Sequence, residues 1–95
     1  MYKFLITLQL QPGSRARILA AAPPVQALTR AEPGCIAYDF FPCSDDPDKL
    51  VFIECFTSQE AHAWHCAQDY TQRFIAFHEP MHVSLTFETV NIAGG

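Results

Sequence analysis

The chain has 95 residues, which suits one small domain over residues 1–95 and is too short for two. Its 49% hydrophobic content, eight Phe and only 17% charged residues describe a packed core and argue against disorder. A net charge of −4 with six basic residues and no basic cluster argues against nucleic acid as a partner, and no apolar run approaches the roughly 18 residues of a membrane span.

Tyr2 to Leu10 alternates Tyr2, Phe4, Ile6, Leu8 and Leu10 with Lys3, Leu5, Thr7 and Gln9, the period of two of a β-strand. Followed by Ala20-Ala21-Ala22, this run has the outline of a secretion signal. It is short and polar-interrupted, however, and Arg15 and Arg17 fall where a cleavage region is uncharged, so strand plus helix is the reading. Pro12-Gly13 ends the strand, and Ser14 is placed to cap a helix whose stripe is Ile18, Ala22, Val25 and Leu28. Pro23-Pro24 falls inside that helix and predicts a kink or brief break, with Pro24 opening a second piece. Glu32-Pro33-Gly34 is a turn and helix stop.

A second strand is expected over Cys35 to Cys43, followed by the acidic loop Ser44 to Asp48. That loop lacks the Gly and the distal Glu of a calcium-binding loop and reads as a solvated hairpin connection. Leu50 to Phe56 is the third strand, with Glu54 set between Phe52 and Phe56. A carboxylate there is costly unless paired, with Arg73 or a dimer interface as candidate partners. Thr57-Ser58-Gln59-Glu60 has capping-box spacing and opens a helix in which Ala61, Trp64, His65 and Gln68 share one face, while His62, Cys66 and Asp69 share another. A short helix from Tyr70 to His78 and a last strand from Met81 to Ile92 complete the chain before the tail Ala93-Gly94-Gly95.

Four cysteines form no Cys-x-x-Cys pair, and Cys35 and Cys43, about 26 Å apart on one strand, are too distant to bridge. Free thiols and a reducing, cytoplasmic location are expected. His62 and Cys66, four apart on a helix, lack a third ligand, so no metal site is expected.

The order strand, helix, strand, strand, helix, strand is the split βαβ, ferredoxin-like unit: α+β, with a four-stranded antiparallel sheet and its helices on one face. Both strand faces are largely apolar, which calls for a cover on the helix-free side and predicts a homodimer packed sheet on sheet.

Glu32-Pro33-Gly34-Cys35 with Tyr38, then Phe52-Ile-Glu-Cys-Phe-Thr-Ser-Gln-Glu-Ala61, then His65, resembles the antibiotic biosynthesis monooxygenase family. The resemblance implies a dimeric α+β barrel and a cofactor-independent monooxygenase that oxidises a small electron-rich aromatic (a quinol, an anthrone or a related polyketide) with dioxygen, without flavin, haem or metal. It implies His65, Trp64 and Tyr70 as catalytic residues, with Tyr38, Glu54 and Phe74 as substrate contacts. Tyr70 stands where family members often carry a second His, and Glu60 where polyketide oxidisers carry Asn. Phe74 replaces the second residue of the Trp and His pair, ten apart, of haem-degrading relatives, which disfavours haem degradation. The alternative is a non-oxygenase relative, an isomerase or small-ligand-binding protein using the same pocket; a purely structural or regulatory dimerisation module is a third reading.

Overall fold

The computed structural model describes residues 1–91. In chain order it runs β1 (Tyr2–Leu10), α1 (Ser14–Arg30), β2 (Cys35–Pro42), β3 (Lys49–Phe56), α2 (Gln59–Cys66), α3 (Asp69–His78), a 3-10 turn (Glu79–Met81) and β4 (His82–Thr89). The sheet order is β2-β3-β1-β4 with antiparallel pairing throughout, the ferredoxin-like α+β arrangement. The expected end of the last strand at Ile92 and the tail Ala93–Gly95 lie outside the described residues.

The alternation in β1 sets which face is which. Phe4, Leu8 and Leu10 are buried, and register places Glu54 beside Phe4, Phe52 beside Ile6 and Leu50 beside Leu8. That face receives Ile18 and Ala22 of α1 and Phe74 of α3, which join Leu8, Leu10, Leu50, Phe52 and Met81 in one apolar cluster. The opposite face carries Leu5, Val51 and Ile53, half-buried, and Phe41, 49% exposed.

Several local expectations need correction. α1 is one continuous helix through Pro23 and Pro24, without the predicted break. Both prolines lie on the exposed side, where water can serve the two carbonyls left without N–H donors, while Ile18 and Ala22 stay anchored on the sheet. The stripe also drifts: Leu28 is 51% exposed and Thr29 is buried in its place. Ser14 is the first helical residue and not the cap; Gly13, at φ 80°, takes that position in the left-handed region that glycine tolerates. At α2 the cap is Ser58 and not Thr57, with Ser58 Oγ accepting the Ala61 N–H at 3.1 Å.

Arg15 ties down the acidic loop through its backbone. Its guanidinium donates to the carbonyls of Cys43, Asp46 and Lys49 at 3.0, 2.8 and 3.2 Å, and Asp46 Oδ1 accepts the Asp48 N–H at 2.9 Å.

Candidate functional site

Between the sheet and helices α2 and α3 lies a cavity of about 420 Å³. Its floor is apolar, from Ile6, Leu8, Phe52 and Leu85, and Phe74 lines its wall as expected from the sequence. At the end nearest β2 the character changes, because Tyr38, Glu54 and His65 all line it.

His65 reaches this point because α2 docks with His62, His65 and Cys66 toward the sheet. It is 3% exposed, wedged between the rings of Tyr38 and Phe56 at centroid distances of 5.3 and 5.2 Å. Its Nδ1 lies 2.8 Å from Glu32 Oε2 and 3.4 Å from Thr71 Oγ1. A carboxylate only accepts, so Nδ1 carries a hydrogen, and in the neutral ring the lone pair is the one on Nε2. Tyr70 Oη donates to the same Glu32 oxygen. Glu32 Oε1 is buried with no partner among the described residues.

Glu32 is delivered by the turn after α1, whose Gly34 presses against α2. A Cβ on Gly34 would sit 2.5 Å from Ala61 Cβ and 3.3 Å from Thr57 Oγ1, so the approach admits only glycine. Sequence reasoning used Glu32 as a turn residue and as part of the family motif, and missed it as the anchor of His65.

Glu54 projects from β3 beneath His65 and is 5% exposed. Its Oε1 is 4.0 Å from His65 Nε2, beyond hydrogen-bond distance. Burial, with Glu32 adding repulsion, pushes its carboxyl from 4.5 up to about 8. The suggested partner Arg73 is elsewhere: it pairs with Asp69 at 2.9 Å on the surface. The Tyr38 phenol is raised by burial first and then by Glu54 and Glu32. The Tyr70 phenol is raised by burial and by its hydrogen bond to Glu32. Both phenols are therefore neutral donors.

The sequence placed Trp64 and His65 together on an inner face, and the structure separates them. Neighbours on a helix differ by about 100°; with His65 inward, Trp64 turns outward, 52% exposed. It borders a second, more open cleft of about 430 Å³ with Glu32, Pro33, Gly34 and Glu60, apart from the cavity that His65 lines. Tyr70 does not line the cavity; it meets the site through its hydrogen bond to Glu32 and through an edge contact with the His65 ring, centroids 6.5 Å apart. The far end of the cavity carries His78 and His82, with Nδ1 of the first 2.8 Å from Nε2 of the second. The sequence reading took His78 as a helix-end residue and passed over His82; an i,i+4 pair spanning a helix stop was the available signal. Among the described residues no group of three or more His, Cys, Asp or Glu stands together as a metal site.

Against known proteins, the model of the family described as antibiotic biosynthesis monooxygenase matches residues 1–76. The chain belongs to the antibiotic biosynthesis monooxygenase family. A crystal structure of an antibiotic biosynthesis monooxygenase is similar at 27% identity and TM-score 0.87, covering 97% of this chain and 98% of that one. Protein SO0527 from Shewanella oneidensis is similar at 29% identity and TM-score 0.79, over 94% of this chain and 87% of its own. Rv0793 from Mycobacterium tuberculosis shares the fold at 21% identity and TM-score 0.84, over 96% and 93%. No curated protein matches. Within this member of the antibiotic biosynthesis monooxygenase family, no helix among the described residues is long and apolar enough to cross a membrane.

Proposed function

We propose that the protein is a monooxygenase that binds a small electron-rich aromatic in the cavity and oxidises it with dioxygen, without a bound cofactor. The observation that carries this reading is the buried His65, held by Glu32 at Nδ1 and facing Glu54 from Nε2, at one end of an apolar cavity. His65 Nε2 takes a proton from an anthrone-class substrate. Glu54, protonated at neutral pH, and the Tyr38 phenol donate to the resulting oxyanion. The anion passes one electron to dioxygen, and recombination forms a C–O bond and a peroxide. Loss of water leaves a new ring carbonyl, so the two oxygen atoms end in the quinone and in water. The apolar walls keep bulk water from the anion. Tyr70 and Glu32 position His65, and Phe74 packs on the ring system. Trp64, on the outer surface, is left out of the reacting set.

We also propose that two copies pair sheet on sheet as a homodimer. Exposed Phe41 and half-buried Leu5, Val51 and Ile53 support this, as an apolar face needing cover. A molar mass by light scattering equal to one chain would refute it.

Oxygen uptake with a panel of quinols and anthrones tests the main reading. Turnover that stops under argon supports it, and no uptake across the panel sinks it. A base and a protonated acid facing each other also suit enolisation, so the non-oxygenase alternative, an isomerase, predicts a reaction that continues under argon.

A further inference from the structure

Two residues on the cavity wall have no part in the chemistry above. His62 and Cys66 lie four apart on α2, one turn above the other, and both line the cavity. His62 Nε2 is 3.3 Å from Cys66 Sγ. The imidazole is fixed by the rings of Tyr2, Phe4 and Phe56, at centroid distances of 5.5, 4.6 and 5.2 Å. Of the four free cysteines, only Cys66 lines this space; Cys55, for instance, packs its sulfur 3.7 Å from that of Met1.

A second observation points to a ligand beside this pair. Glu54 is 5% exposed, forms no hydrogen bond among the described residues and lines the same cavity. A buried carboxyl without a partner is satisfied when a ligand brings a polar atom to it, and a carbonyl oxygen suits the protonated acid.

We propose that Cys66 and His62 form a covalent capture site for flat quinoid electrophiles, specifically 1,4-quinones with an unsubstituted ring carbon, bound with one carbonyl toward Glu54. His62 Nε2 takes the thiol proton as Cys66 Sγ attacks the free ring carbon. An S–C bond forms, the ring C=C π bond breaks, and its electron pair moves to the carbonyl oxygen, which takes up the proton. Shift of the remaining ring proton to the second oxygen restores the aromatic ring. The product is a hydroquinone thioether; the quinone is reduced by the addition itself, and no outside oxidant or reductant enters.

Burial, then the Glu54 and Glu32 charges, hold the Cys66 thiol above its ordinary range. It is therefore not a standing thiolate, and a small polar alkylating reagent gains nothing from the site. Burial and then His65 hold the His62 imidazole below its ordinary range, which keeps its lone pair free. Reaction waits for a seated electrophile. The proposal rests on the reading of the cavity as an aromatic pocket, but it needs no oxygen.

The test is peptide mapping by mass spectrometry after exposure to 1,4-naphthoquinone under argon, with iodoacetamide in parallel. Naphthoquinone is expected to label Cys66 first, adding one naphthoquinone, at a rate that saturates with concentration; iodoacetamide is expected to label Cys43 ahead of Cys66. His62→Ala should slow quinone labelling of Cys66 by about tenfold or more and leave Cys43 unchanged. Cys66→Ser, which preserves volume, should lose the saturable phase. Quinone labelling that is linear in concentration and no faster at Cys66 than at Cys43 would overturn the proposal. Anthraquinone-2-sulfonate, which cannot add a thiol at a free quinone carbon, separates the two readings. If it binds while 1,4-naphthoquinone fails to capture Cys66, the capture proposal alone fails; if it does not bind, the aromatic-pocket reading fails with it.

Discussion

Glu54 Oε1 and His65 Nε2 face each other at 4.0 Å, with side-chain exposures of 6% and 3%. The gap is too long for a hydrogen bond, and the two are not locked to each other. The other side of the imidazole is fully engaged, by Glu32 at 2.8 Å. The pair is thus rigid on one flank and open on the other, which is what a group that exchanges protons with a ligand needs.

The raised carboxyl of Glu54 makes a signed prediction for stability. Its value is about 8 in the folded protein against 4.5 for the reference group. Between these values the unfolded chain loses the proton and the folded chain keeps it, so stability falls as pH rises through this window. The penalty is absent below the lower value and complete above the upper one. Glu54→Gln removes it: urea unfolding should find the variant more stable by roughly 2–4 kcal/mol near pH 9, with little difference near pH 4.

Glu32 and Tyr70 should separate in magnitude. Glu32→Ala removes the acceptor for both His65 Nδ1 and the Tyr70 hydroxyl. It is expected to cost about 2 kcal/mol or more in stability and about a hundredfold in kcat. Tyr70→Phe leaves the His65 anchor intact and should cost about 1 kcal/mol, with kcat reduced less than tenfold. Equal losses of activity in the two variants would contradict the assignment of Glu32 as the positioning residue.

Gly34→Ala tests the docking of the turn on α2. The added methyl meets Ala61 Cβ at 2.5 Å, so helix and turn must separate. Chemical denaturation should register a loss of about 1–3 kcal/mol. Because the same turn carries Glu32, kcat should fall while KM changes little.

Trp64→Ala should leave kcat and KM within about twofold of the parent, since the indole stands outside the cavity and carries none of the hydrogen bonds to His65. A hundredfold loss in steady-state turnover would return Trp64 to the reacting set.

Much of the frame was legible from residue pattern. The period of two from Tyr2 to Leu10 places Phe4, Leu8 and Leu10 on one face, and the structure buries all three. Glu54 could be singled out as a costly carboxylate between two Phe, because burial of its strand neighbours implies its own. Helix phase was harder. The α2 sequence offers Trp64 and His65 as adjacent inward candidates, and only docking against the sheet decides between positions about 100° apart. Pro23-Pro24 misled because local propensity forbids what packing of Ile18 and Ala22 holds in place. Glu32 was invisible as a site residue: its burial depends on a contact between Gly34 and Ala61, 27 positions apart in sequence.

The most direct measurement is the absorption spectrum of 1,8-dihydroxyanthrone bound to the protein under argon at neutral pH. With oxygen absent, the spectrum reports the proton transfer alone. The band of the anion is expected with the parent protein and that of the neutral form with His65→Ala. The neutral form bound to both, or the anion bound to both, would contradict the role of His65 as the base.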